Sequence, residues 1–84
     1  MIVLWRATAE PRRAGFAVSR QIRGAVQKNR ARRRLREAYR VTRDVAPAHA
    51  ALVIIGRPAS LREPLAALTR ELRDALAAIP GPRS

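Results

Sequence analysis

The sequence predicts an α/β fold, an α+β two-layer sandwich with a small mixed sheet, an arginine-rich crossover helix and a C-terminal amphipathic helix. Three observations predict it. Two short segments rich in β-branched and large apolar residues open the chain, and a stretch without glycine or proline runs from Ala25 to about Arg43. An apolar run, Ala51-Leu-Val-Ile-Ile55, then precedes leucines at helical spacing. One domain over residues 1–84 accommodates all of these, since a chain of 84 residues has room for a single core.

Ile2 to Thr8 reads as the first strand and Glu10-Pro11-Arg12-Arg13 as a turn, because proline cannot continue a ladder. Ala14 to Ser19 resumes as a second strand, expected to pair antiparallel with the first. Strand alternation puts Val3 and Trp5 on one face of the first strand, and Phe16 and Val18 on one face of the second. Gly24 interrupts the pattern. From Ala25 to about Arg43 the residues are mostly good helix formers, and Val45-Ala-Pro-Ala-His49 ends that helix. Ala51 to Ile55, closed by Gly56 and Pro58, has the signature of a buried strand, and a parallel pairing across the helix suits it.

For the last helix two starts are open: Ser60 as a cap with Glu63 three residues on, or Pro64 as the first helical position. Leu65, Leu68, Leu72, Ala75, Leu76 and Ile79 recur at three and four and form one apolar stripe for the sheet, whereas Arg70, Glu71, Arg73 and Asp74 face solvent. Residues 79–84 are expected to be a flexible tail.

Charge restricts the partners. Eighteen Lys plus Arg against six Asp plus Glu give a formal net charge of +12, which argues for a polyanion. All the basic residues but Lys28 are arginine, whose planar fork suits phosphate and stacks on bases; codon usage explains part of that preference but not the net charge. The absence of cysteine excludes disulfides and thiol chemistry, and the cytoplasm is the expected location. No stretch has the length of a membrane span or the form of a signal peptide.

Between Ser19 and Arg43 ten basic residues stand against Glu37 alone. On a helical projection Asn29, Arg33, Arg36 and Arg40 fall within about 60° of one another, and Ala31, Leu35, Ala38 and Tyr39 gather on the other side. Arginines three and four apart repel by a few tenths of a kcal/mol per pair, roughly, and a bound polyanion removes that penalty. Asn29 adds an amide able to meet a phosphate or a base edge. Glu37 is expected to pair with Arg33 or Arg34.

The segment from Gly15 to Arg40, GFAVSRQIRGAVQKNRARRRLREAYR, resembles the signature region of the bacterial ribonuclease P protein family, where a valine-serine strand end leads into an Arg-Asn-Arg helix. Leu52-Val-Ile-Ile-Gly-Arg-Pro-Ala59 and the amphipathic helix after it resemble the family's C-terminal half. The resemblance implies an α/β sandwich whose arginine-rich helix lies in a left-handed crossover between parallel strands, against the common rule. It also implies a function: removing the 5′ leader of precursor tRNA as the protein subunit of a ribonucleoprotein. In that particle the RNA subunit and Mg²⁺, bound mainly by that RNA and the substrate, carry out hydrolysis.

Residue by residue, the Arg-Asn-Arg element falls on Lys28, Asn29 and Arg30, and the family's other contacts to the catalytic RNA fall on Arg20, Arg32, Arg33, Arg36 and Arg40. Trp5, Phe16, Val18 and Ser19 match sheet positions near the family's cleft for the single-stranded leader, where an aromatic face stacks on a base for roughly 1–3 kcal/mol. Core packing suits Trp5 and Phe16 equally well.

Three departures stand out. Lys28 replaces an arginine, Arg23-Gly24 reverses the usual order of glycine, and this sequence is expected to lack the family's N-terminal basic helix. The last departure leaves one sheet face uncovered, expected to be the one bearing Trp5 or Phe16. A small basic ribosomal or other structural RNA-binding protein is the rival reading, separated by the ordered motif from Val18 to Arg40. No catalytic side chain is expected: His49 is the only histidine and sits in a Pro-Ala loop.

Overall fold

β-Branched and aromatic residues build strands β1 (Ile2–Ala7) and β2 (Arg13–Val18) in the computed structural model, which describes residues 1–83. Helix α1 (Ala25–Arg40) follows, then a 3₁₀ turn (Arg43–Val45), strand β3 (Ala50–Gly56), a short helix α2 (Ala59–Arg62) and helix α3 (Leu65–Ala77). The predicted fold class is the one observed: a three-stranded mixed sheet with helices packed on it.

The sheet order is β1-β3-β2. β3 is parallel to β2 and antiparallel to β1. The expected pairing of β1 with β2 is therefore corrected, because the most apolar strand takes the centre and separates them. The segment between β1 and β2 bridges the start of β3, where Thr8 N–H donates to the His49 carbonyl (3.3 Å) and Arg12 N–H to the Ala48 carbonyl (2.8 Å). Arg12 reinforces the bridge through its Nε on the Pro47 carbonyl and its Nη2 on the Ala46 carbonyl, both at 2.9 Å.

Only one sheet face is covered. Leu52 and Ile54 of β3 meet Leu35 and Ala38 of α1 and Leu68, Leu72 and Leu76 of α3 in one core. Val53, Leu4 and Ile2 point the other way and are 41%, 53% and 41% exposed. β3 is thus half-buried, not enclosed on both faces, and its continuous apolar run includes an open apolar face. The uncovered face carries Ile2, Leu4 and Val53, with the half-exposed Trp5 at its border; Phe16 pairs with Ile54 and packs on the helix side, so of the two residues expected to mark that face Phe16 is corrected.

Two glycines matter to α1. Gly24 adopts φ 84° immediately before the first helical residue, a conformation that L side chains rarely adopt, which fits the reversed Arg23-Gly24 order. Gly56 lets the helix approach: a Cβ there would stand 3.1 Å from Leu35 Cδ1 and 3.7 Å from Ala31 Cβ. α1 ends at Arg40, three residues earlier than expected: the Thr42 N–H donates to the Tyr39 carbonyl at 3.0 Å, an i→i−3 bond that tightens the turn, and the buried Thr42 hydroxyl donates to the Ala38 carbonyl at 2.8 Å.

Two helices replace the single C-terminal one, with Pro64 as the residue preceding α3 and Ser60 inside α2. The Ser60 hydroxyl accepts the Arg57 N–H at 3.1 Å. Residues 79–83, expected to be a flexible tail, are held in place. Ile79 is buried, the Pro82 carbonyl accepts the Ala48 N–H at 2.9 Å, and Arg83 Nη2 donates to the Ala77 and Ile79 carbonyls (2.9 and 2.7 Å) at the end of α3. Ser84 lies outside the described residues.

Candidate nucleic-acid interface

α1 presents its charge as its sequence implies. Ala31, Leu35 and Ala38 are fully buried, whereas Asn29, Arg33, Arg36 and Arg40 are exposed along the opposite side. Arg33 makes no ion pair or hydrogen bond among the described residues. Arg36 lies over the Phe16 ring, its guanidinium carbon 5.7 Å from the centroid, close enough for a cation–π attraction. Phe16 in turn meets Tyr39 edge to face at 5.7 Å, and burial raises the Tyr39 pKa above the usual phenol value. Phe16, Arg36 and Tyr39 therefore form a stacked unit joining the basic helix to β2.

Arg40 is not equivalent to its neighbours. Its Nη2 and Nε donate to the two Glu37 carboxylate oxygens at 2.6 and 3.1 Å, so Glu37 pairs with Arg40 and not with Arg33 or Arg34. The hydrogen bond from Arg40 holds the Glu37 carboxyl below its ordinary pKa. The sign follows: the pair is intact above the usual carboxylate range and is lost as pH falls through the lowered value. Arg40 is thus partly neutralised at neutral pH, and the uncompensated part of the face is Arg33 with Arg36.

The remaining predicted residues divide by location. Arg20 is exposed in the turn after β2; Lys28 and Arg32 are half-buried on α1, and Arg32 Nη1 reaches Asn29 Oδ1 at a long 3.4 Å. Arg30 is exposed at the border of the Arg33–Arg36 face, three residues before Arg33, and lines a cleft with Pro58, Leu61 and Arg62. Phe16, Val18 and Ser19 lie together at the end of β2, where Ser19 N–H donates to the Gly56 carbonyl (2.8 Å) and its hydroxyl accepts from Gln21 N–H (3.2 Å). Trp5 does not join them. β3 stands between, and Trp5 lines a pocket at the β1 edge with Pro47, His49, Ile79 and Pro82. That pocket includes no carboxylate to serve His49 as a partner.

Sequence reasoning missed the arginines that are structural. Arg34 sits in the middle of the basic run, yet it donates through Nε to the Ser60 carbonyl at 2.9 Å and through Nη2 to the Glu63 carbonyl. It ties α1 to the segment between β3 and α3. Replacing Arg34 with alanine is expected to cost about 1–3 kcal/mol, since two carbonyls lose their donor. Lysine should restore the charge but not the stability, because one ammonium does not reproduce the fork. Urea unfolding of both variants checks this; a lysine variant as stable as the parent would show that charge, not the paired hydrogen bonds, matters at this position.

Fold and face together define a class: a small α/β sandwich that presents an arginine-lined crossover helix to solvent. The family model described as Ribonuclease P matches residues 1–80, and the chain belongs to that family. It is 43% identical over 74 residues to the ribonuclease P protein component of Gluconacetobacter diazotrophicus, covering 87% of this chain and 64% of that relative. With the counterpart from Paramagnetospirillum magneticum it shares 44% over 72 residues, 81% of this chain and 52% of the relative. The chain therefore spans between about half and two thirds of the length of these relatives. The ribonuclease P protein of Thermotoga maritima has a similar structure, with a TM-score of 0.81 and 27% identity over 94% of this chain and 76% of that one.

Proposed function

We propose that this chain is the RNA-binding protein subunit of ribonuclease P, assisting a catalytic RNA in removing the 5′ leader from precursor tRNA. One observation carries the proposal: α1 of a chain in this family exposes Arg33 and Arg36 with no carboxylate paired to either among the described residues. Guanidinium groups held at fixed spacing on a helix neutralise phosphates and release their counterions. Arg20, Lys28, Asn29, Arg30, Arg32 and Arg40 extend the proposed contact with the RNA subunit.

Phe16, Val18 and Ser19 are the proposed leader contacts near α1. A leader held there would have to cross the sheet to reach Trp5. The fluorescence of Trp5, the only tryptophan, is accordingly expected to stay constant when a leader oligonucleotide binds; quenching at saturation would return Trp5 to the same site.

Among the described residues no three of His, Asp or Glu converge, and the only histidine has no carboxylate partner in its pocket. Mg²⁺ is instead assigned to the RNA subunit and substrate. What the protein supplies is charge: fixed guanidiniums between two polyanions reduce the repulsion that free cations would otherwise screen. No helix here is long and apolar enough to cross a membrane, and the proposed location is the cytoplasm.

The test is cleavage of precursor tRNA by a bacterial ribonuclease P RNA across a Mg²⁺ series, with and without the protein. The protein alone is expected to cleave nothing, and with the RNA it should lower the Mg²⁺ needed for half-maximal cleavage. Superimposable Mg²⁺ curves would refute the reading.

A further inference from the structure

A cleft of about 330 Å³ opens beyond the C-terminal ends of the parallel strands β2 and β3, beside the Arg33–Arg36 face. Two turns make it. The chain leaving β2 folds back through the Ile22 N–H on the Ser19 carbonyl (3.1 Å) and buries Ile22 as the floor. The chain leaving β3 winds into α2 through the Leu61 N–H on the Pro58 carbonyl (3.1 Å), and Pro58 and Leu61 form an apolar wall.

The rim is arginine. Arg23 before α1, Arg30 on α1 and Arg62 on α2 are all exposed and line this cleft, together with the amides of Gln21 and Gln27. Among the described residues none of the three arginines makes a hydrogen bond or an ion pair, and no carboxylate lines the cleft. The groove between α1 and α3 differs, because there Glu37 accompanies Arg70 and Arg73. Three guanidiniums around an apolar floor, with no compensating acid, focus a positive potential into a concave space. The glutamines bring both donors and acceptors, the equipment for a base edge, and Pro58 and Leu61 offer an apolar surface to the nucleoside.

We infer that this cleft is a second RNA site, which seats a phosphate of a single strand among Arg23, Arg30 and Arg62 with the adjoining nucleoside against Pro58 and Leu61. The inference rests on the RNA-binding reading above and extends it to residues outside the basic stripe. Arg30 stands three residues, about 60° of helix, from Arg33, so the cleft adjoins the stripe at that arginine, while Gln27 on its far side lies about 120° from Arg33. Cleft and stripe bind separate stretches of RNA, or one strand that bends around the N-terminal end of α1.

The experiment compares Arg23→Gln/Arg62→Gln with the parent chain for binding to intact ribonuclease P RNA over a salt series. Both residues are exposed, and circular dichroism with thermal melting verifies the fold. The plot of log affinity against log salt is expected to become shallower by about 1.4 to 1.8, two contacts' worth. That loss should add to the loss from Arg33→Gln/Arg36→Gln, as independent sites do. In parallel, the side-chain amide signals of Gln21 and Gln27 should shift when a uridine hexanucleotide is added to the parent.

An unchanged slope with unmoved glutamine signals overturns the cleft and leaves the stripe standing. Failure of the parent chain to bind RNA overturns both readings. Equal shifts with inorganic phosphate at the same concentration would mean a site for free anions, not for an RNA strand.

Discussion

Replacing Arg33 and Arg36 together with glutamine is expected to weaken binding to the ribonuclease P RNA on the order of tenfold to a hundredfold near 0.15 M salt, and to flatten the salt dependence by roughly two units. These are the two arginines of the stripe that face solvent with no carboxylate paired to them among the described residues. The loss should not come from the fold, because the core side of α1 is Ala31, Leu35 and Ala38. Removing Arg36 also uncovers the Phe16 ring, so an increase in the affinity of a short single strand at β2 would mark Arg36 as a cover over that ring. The control is Arg70→Gln/Arg73→Gln on α3, which removes the same charge from another face. If both double variants lose affinity equally, net charge and not the α1 face governs binding.

Leu35→Ala is expected to be the most damaging single truncation in α1. Leu35 is fully buried, belongs to the central core and lies over Gly56 of β3, where a Cβ would stand 3.1 Å from its Cδ1. Truncations of this kind cost about 2–5 kcal/mol, depending on how far the site collapses. For a domain of this size each kcal/mol moves the melting temperature by roughly 4–8 °C, so a fall of about 8–40 °C follows. The neighbours here are small, and Ala31 and Ala38 cannot extend into the void. Val26→Ala on the same helix, at a side chain 80% exposed, should change stability by less than about 0.5 kcal/mol. RNA that binds only the folded chain should raise the melting point of both variants, which separates loss of stability from loss of the binding face. A Leu35→Ala chain that melts within a few degrees of the parent would mean that the contact between α1 and β3 is not where the stability resides.

Local signals were legible in the sequence wherever neighbours along the chain decide the outcome. Helix α1 starts at Ala25, as its residue types dictate, and its exposed and buried sides match the projection of Asn29, Arg33, Arg36 and Arg40 against Ala31, Leu35 and Ala38. β3 is parallel to β2 across that helix, because a crossover of this length returns the chain in the same direction. The family was legible as well, from the contiguous segment Gly15 to Arg40.

Sheet order was not. Proximity in sequence favours pairing β1 with β2, but β3 offers apolar residues on both faces and both of its edges, and occupying the centre satisfies more backbone groups. Trp5 and Phe16, which the family resemblance assigns to one leader cleft, stand on strands that β3 separates.

What the sequence by itself determined is the charge, the amphipathic division of α1 and the family, since each depends on residue type or on short fixed spacing. Only the tertiary structure decided which arginines face solvent uncompensated. Arg12, Arg34 and Arg83 donate to backbone carbonyls far along the chain or at the end of a helix, and Arg40 takes Glu37, whereas Arg23, Arg30 and Arg62 come together from the turn before α1, from α1 and from α2 around a cleft. The physical reason is that a guanidinium finds its partner through space. Carbonyl acceptors are carried by every residue, so no side-chain pattern reveals which of them a fold will bring within reach.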